Sequence, residues 1–175
     1  SGWASLLSFL SFDLGKLIKN NSIGKISLNA TVKGSGLDPK TANAAVKGTI
    51  GKFNYNKYNY TNLDLKGNIN NGLFQAVAAS NDPNLTFDLV SSGSFKDKYP
   101  TGKIKLNVDV ADLAKLNLHA GPMKIRGEID ADLQSVDLDY LNGKFNITNL
   151  TIGDENEQFV MDSITMVVTS TANRN

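Results

Sequence analysis

The chain contains no cysteine, so no disulfide staples it and no thiolate can hold a metal. That absence suits a cytosolic protein and a bacterial envelope protein equally. One histidine, His119, rules out His-paired metal centres, and it leaves any Ser-His-Asp triad without a G-x-S-x-G turn to support it. Charge of one sign is missing too. Lys and Arg number 18 against 17 Asp and Glu, a formal net charge of +1, so there is no basic field to draw nucleic acid. No apolar run approaches the roughly 18 residues that cross a bilayer as a helix. The N-terminus also lacks the charged start and cleavage site of a signal peptide. A catalytic constellation, a metal site and a cofactor motif are all wanting, and the chain reads as a non-enzyme.

What is present is alternation. In "KISLNATVK" from Lys25, Ile26, Leu28, Ala30 and Val32 share one parity, and Ser27, Asn29 and Thr31 the other. Side chains alternate across a strand, so such a segment has one apolar and one polar face. The pattern returns with Leu63, Leu65 and Ile69, with Leu85, Phe87 and Leu89, and with Ile104, Leu106 and Val108. It returns again with Ile125, Ile129 and Leu133, with Phe145 and Ile147, and with Ile164, Met166 and Val168. Turn signals separate these runs: "GSGLDPK", "NNG", "NDPN", "PTG", "AGP" and "NG". Their spacing suits an antiparallel meander of short strands. One helix is expected, about two turns over 13–20, capped by Asp13 with Leu14, Leu17 and Ile18 on one face. The dense apolar stretch Trp3–Leu10 fits either a helix or a strand whose partner lies elsewhere.

The sequence also repeats itself. "GKISLNATV" at Gly24 returns as "GKIKLNVDV" at Gly102, Val46–Ile50 resembles Ile125–Ile129, and "YNYTNLDL" at Tyr58 resembles "FNITNLTI" at Phe145. Order is kept while spacing drifts, as loop insertions do to a tandem repeat. The expected organisation is a flanking segment at 1–12, opening on a Ser1-Gly2 expression remnant, then a first β repeat at 13–101 and a second at 102–175, forming one continuous β domain.

A sheet with one apolar face has to cover it, and one short helix cannot cover about a dozen strands. A sandwich, a barrel or a trough remain, and an open-ended repeat favours a sheet curled into an elongated groove. The candidate lining is the apolar parity: Ile26, Leu28, Val32, Leu63, Leu65, Ile69, Leu85, Phe87, Ile104, Leu106, Val108, Ile125, Ile129 and Ile147. A seven-residue strand gives a width of roughly 23 Å, which suits an acyl chain. Gly48, Gly67 and Gly127 share this parity and mark bends or close backbone approach.

The stretch Phe12–Phe74 carries a short "LG-x-L" start, then "GKISLNATVKGSG", then a tyrosine-bearing hairpin ending in "LKGNINNGLF". With "NDPNLTFDL" further on, it resembles the AsmA/TamB-like family of Gram-negative envelope proteins. The resemblance implies an interior piece of an inner-membrane-anchored protein whose β-taco spans the periplasm. It further implies phospholipid or other acyl chains as cargo, a role in outer-membrane biogenesis, and an Omp85-type barrel as partner of the full-length protein. The other reading of the residues is a structural or adhesive β-sandwich that binds carbohydrate or protein.

Three smaller features have structural readings. Glu128, Asp130, Asp132, Asp137 and Asp139 lack the order of a calcium loop and read as a solvated strand face. Tyr55, Tyr58 and Tyr60 read as cross-strand pairs rather than a sugar-stacking platform. His119 reads as a partly exposed strand-end residue.

Overall fold

The computed structural model describes residues 3–13, 23–36, 38–136 and 140–170, with side chains from Gly24 onward except Leu28. Ten strands follow one another: β1 (Trp3–Asp13), β2 (Ile23–Ser35), β3 (Asn43–Tyr55), β4 (Tyr58–Asn70), β5 (Leu73–Asp82), β6 (Leu85–Ser94), β7 (Thr101–Asp112), β8 (Lys124–Ser135), β9 (Asn142–Gly153) and β10 (Gln158–Val168). They form a single sheet in chain order with every neighbouring pair antiparallel. The period-two alternation therefore yields the all-β meander it predicts. β1 and β10 do not pair with each other, so the sheet is open. Its strands are ten to thirteen residues long, longer than the seven expected. Ten strands at about 4.8 Å spread the sheet over roughly 43 Å.

Of the helix expected over 13–20, residues 14–20 lie outside the described residues, and its intended cap Asp13 is the last residue of β1. The stretch Trp3–Leu10 is a strand, and its partner is inside the chain: Trp3 stands opposite Gly34 and Asp13 opposite Lys25. The "NNG" signal acts as read, with Asn71 and Gly72 at φ of 46° and 79° between β4 and β5; the β3–β4 turn was not among the signals, and Asn56 and Lys57 take 48° and 67° there. Two consecutive positive φ angles are what a two-residue hairpin turn requires.

The repeated blocks land on β2 and β7, on β3 and β8, and on β4 and β9. Each pair is five strands apart in the meander, so its members run in opposite directions. Strand order and apolar face are both kept while direction reverses, which no rotation of a rigid unit accomplishes. The recurring thing is a strand pattern, and the sheet passes from β6 to β7 without a boundary, Ser94 opposite Thr101.

Irregularities in the ladders fall almost on one line across the sheet. Register slips occur between Leu7 and Leu10 on β1, at Ser27/Leu28 opposite Gly51, at Thr86/Phe87 opposite Asp109, between Val108 and Ala111, and at Arg126/Glu128 opposite Asn149. Asn62, Gly127 and Asn149, on or beside this line, have φ of 54°, 154° and 54°. Two further slips, Ile23/Ile26 and Leu133/Ser135, lie near strand ends. A bulge bends its strand and tightens the local twist, so a row of them is a crease. Beyond the crease, Tyr60 on β4 and Ala111 on β7 share one buried cluster with Leu116 from the β7–β8 connection. A flat sheet would hold those two strands about 14 Å apart.

The cluster of buried side chains at that end is small, and Ala30, Ala42, Ala131 and Leu133 are buried elsewhere along the sheet. Leu116 and Asp82 are the largest fully buried side chains among the described residues. The accessible surface is 11571 Å², against about 8,300 Å² expected for a compact monomer of this mass.

Candidate functional site

The sheet register assembles the apolar parity into rows that run across the strands. Ala30, Gly48, Leu65, Ala78, Leu89, Leu106, Ile129, Ile147 and Ile164 stand directly opposite one another from β2 to β10 without a polar residue. The next row is Val32, Val46, Gly67, Ala76, Ser91, Ile104, Ala131, Phe145 and Met166, with one serine. Most of these side chains are only half-buried; Leu65 is 37% exposed and Met166 44%. Among the described residues no second sheet or helix covers this face. The β2–β5 part of the rows is built from small residues. A Cβ on Gly48 would stand 2.6 Å from the Ala30 Cβ, so only glycine lets these two strands keep their spacing here.

At the end where β2 passes to β3 the face deepens into a hollow of about 440 Å³. Val32, Ala44, Val46, Gly67, Ile69, Phe74 and Ala76 form its floor, and Pro39, Ala42 and Phe95 from the connections form its rim. The rim is stitched by backbone hydrogen bonds: Asn71 N donates to Ala42 O at 2.9 Å and Phe95 N to Gly72 O at 2.8 Å. Phe95 lies 5.1 Å from Phe74, centroid to centroid.

At the opposite end the face is stoppered. One helical turn after β7, with Leu116 N donating to Asp112 O at 2.9 Å, carries Leu116 onto Tyr60 and Ala111. Phe53, Tyr58, Leu63, Leu85, Val108, Leu113 and Ile125 pack around them. Asn117 ties this turn to the β3–β4 hairpin: its Nδ2 donates to the Asn56 carbonyl at 3.2 Å, and the Asn56 amide donates back to the Asn117 carbonyl.

Beside the stopper lies a buried carboxylate. Asp82 ends β5 on the apolar parity and is 1% exposed. It accepts from Tyr58 Oη at 2.5 Å, Thr61 N at 2.9 Å, Thr61 Oγ1 at 3.0 Å and Asn84 N at 2.9 Å. Burial alone would push its pKa up; the hydrogen bonds from Tyr58, Asn84 and Thr61 outweigh burial and hold it below the ordinary carboxylate value. The β4–β5 ladder stops at Leu63 and Ser80, and this carboxylate takes over the pairing of Thr61. Burial raises the Tyr58 and Tyr60 hydroxyls, and the bond to Asp82 raises Tyr58 further.

The other face is mainly polar, although Leu73, Val77 and Val90 stand exposed on it. Lys103 pairs with Asp132 at 3.2 Å and Lys105 with Asp130 at 3.4 Å, all well exposed and therefore weak. Asn149 donates to Glu128 at 2.9 Å. Twist hollows this face too, in a cavity of about 800 Å³ lined by Lys47, Asp64, Lys66 and Asp88 together with Val77 and Val90. Asp137 and Asp139 lie outside the described residues. The described residues hold no group of three or more His, Asp or Glu side chains placed for a metal, and no helix long and apolar enough to cross a membrane.

The anticipated lining residues divide by place. Val32 and Ile69 floor the hollow. Leu63, Leu85, Val108 and Ile125 surround the stopper. Ile26, Phe87, Ile104, Leu106, Ile129 and Ile147 lie half-buried, and Leu65 is more exposed. The Leu28 backbone pairs with Ile50, and its side chain is not among those described. Sequence reading passed over Leu116, Phe74 and Phe95. For Leu116 a signal existed in Asp112 followed by leucines at 113 and 116, a capped turn with one apolar side. Tyr58 and Tyr60 meet edge-on at 4.8 Å inside the stopper rather than on a platform. His119 is exposed, in the β7–β8 connection rather than at a strand end, and its Nδ1 accepts from Gly121 N at 3.2 Å.

No protein-family model matches the chain, and no curated protein or solved structure matches it either.

Proposed function

We propose that the chain is a stretch of an AsmA/TamB-like envelope protein, and that its apolar face carries phospholipid acyl chains through the periplasm towards the outer membrane or supports protein assembly there. It acts as a binding surface and not as an enzyme. The observation that carries this reading is the row from Ala30 to Ile164, nine strands of apolar side chains in register and uncovered. An exposed apolar surface of that extent is rare on monomers and marks a binding face. Its length favours carriage over storage: roughly 43 Å of sheet exceeds the about 15 Å of hydrocarbon in one leaflet, so several chains fit along it. Each methylene that leaves water there contributes up to about 0.8 kcal/mol. The sandwich alternative needs a second sheet, and the described residues form one.

Native mass spectrometry of the protein mixed with vesicles of a defined diacyl phospholipid tests the reading. Adducts of one or more intact phospholipids, competed by free fatty acid and indifferent to soluble glycans, are expected. Protein free of lipid at every ratio would contradict it.

A further inference from the structure

The cross-strand partners of its lysines divide the polar face into two parts. On β7, Lys103 stands opposite Asp132 and Lys105 opposite Asp130, and each couple closes into an ion pair, at 3.2 and 3.4 Å. On β3 and β4, by contrast, Lys47 stands opposite Lys66. Both are exposed, and neither forms an ion pair among the described residues. Like charges directly opposite one another destabilise a sheet. Lys33 on β2, diagonal to Lys47, adds a third exposed cation.

The same row turns apolar on the next two strands. Lys66 stands opposite Val77 and Val77 opposite Val90, and the two valines are 44% and 54% exposed on a parity that is otherwise mainly polar. Lys47, Lys66, Val77 and Val90 thus line up across β3 to β6, three strand spacings or about 14 Å, within the cavity of about 800 Å³. The carboxylates of this cavity stand one row away. Asp64 is opposite Thr49, whose hydroxyl donates to it at 2.7 Å, and Asp88 is opposite Ala79. Beyond Val90 the row continues to Lys105, whose charge Asp130 already answers.

We propose that this cavity is a binding site for an amphiphile with a phosphate monoester head, the head seated between Lys47 and Lys66 and the hydrocarbon laid over Val77 and Val90. A dianionic head matches the two facing ammonium groups in charge, whereas a carboxylate or a phosphodiester would leave one of them unanswered. Of the two ends of the row, only the one at Lys47 and Lys66 has positive charge to spare, so the head is directed there. A wholly polar anion would leave the valines in water, and a neutral amphiphile would leave the lysines repelling each other. The site lies on the opposite face of the sheet from the apolar rows and stands whether or not those rows carry lipid.

Methyl NMR of the protein titrated with octyl phosphate below its micelle concentration tests the site, with octyl glucoside and inorganic phosphate as controls. Saturable shifts of the Val77 and Val90 methyl resonances are expected with octyl phosphate, and little shift with either control at matched concentration. Lys47→Gln with Lys66→Gln is expected to weaken octyl phosphate binding about ten-fold or more, through loss of both charge-assisted contacts. The double variant is expected to melt no lower than the parent, since it removes a repulsion. Binding should also weaken as pH falls through about 6, where the monoester loses its second charge. Equal shifts of the two valines with octyl glucoside, shifts confined to apolar-face methyls such as those of Leu106 and Ile129, or a double variant that binds like the parent would each overturn the proposal.

Discussion

The Tyr58 hydroxyl donates to the Asp82 carboxylate at 2.5 Å, joining the start of β4 to the end of β5 just where the ladder between them has stopped. A side chain here does the work of a backbone pair. Replacing Asp82 by Ala removes the shared acceptor of Tyr58, Thr61 and Asn84 and leaves donors unsatisfied in a buried place. The expected cost is about 2–4 kcal/mol in urea unfolding, with Asp82→Asn nearer the lower end. Loss of less than about 0.5 kcal/mol in Asp82→Ala would mean the network is idle.

The same network sets the pH range of stability. Asp82 has a folded pKa below its unfolded one, so its contribution is complete at neutral pH and is lost as pH falls through the carboxylate range towards the folded value. Tyr58 and Tyr60 have folded pKa values above their unfolded ones, so their contribution is complete below about pH 10 and is lost as pH rises through the folded values. Melting temperature against pH should show a plateau between those limbs. Asp82→Asn should make the acid limb shallower and Tyr58→Phe the alkaline one. Unchanged limbs in both variants would contradict the assignment.

Leu116 is the stopper, and its neighbour Leu118 is a control on the same connection. Leu116 is 1% exposed and Leu118 47%. Leu116→Ala should cost about 2–4 kcal/mol through lost burial and the cavity left behind, and Leu118→Ala within about 0.5. Denaturant titration of both reads the difference. Equal effects would show that the turn does not seal the end of the face.

How much of this was legible in the sequence follows from what period two can and cannot report. Alternation at Ile26–Val32, Ile104–Val108 and Ile125–Ile129 located strands and their apolar faces, because a one-residue error would move every side chain to the other face. It also separated Leu106 from Asn107 correctly. Alternation could not show the crease, because two residues opposing one, as at Asp109 or Asn149, are a property of two strands and invisible in either alone. Gly127 hinted at it and Asn62 did not. The matched blocks at Gly24 and Gly102 suggested a module, yet direction in a meander depends on how many strands intervene, which no block comparison counts. The N-terminal apolar stretch had no clean period, and β2 is what makes it a strand. The hollow depends on Phe74 of β5 meeting Phe95 of the β6–β7 connection beside Gly67 and Ala76, a contact that only the folded sheet specifies.

Leu106 and Asn107 offer the most direct measurement of whether the apolar face is the working surface. Leu106 lies half-buried in the unbroken row, between Leu89 and Ile129, and Asn107 faces the other way from the adjacent position. A carboxylate at 106 can reach water across an uncovered face, whereas in a closed core it would cost several kcal/mol and unfold a domain of ordinary stability. Binding of a fluorescent phospholipid, with circular dichroism as the folding check, should be compared for the parent protein, Leu106→Asp and Asn107→Asp. The account predicts that all three stay folded, that Leu106→Asp loses about ten-fold or more in affinity, roughly the 1.4 kcal/mol of one disrupted apolar contact site, and that Asn107→Asp binds like the parent. Global unfolding of Leu106→Asp, or a folded Leu106→Asp that binds lipid as well as the parent, would contradict it.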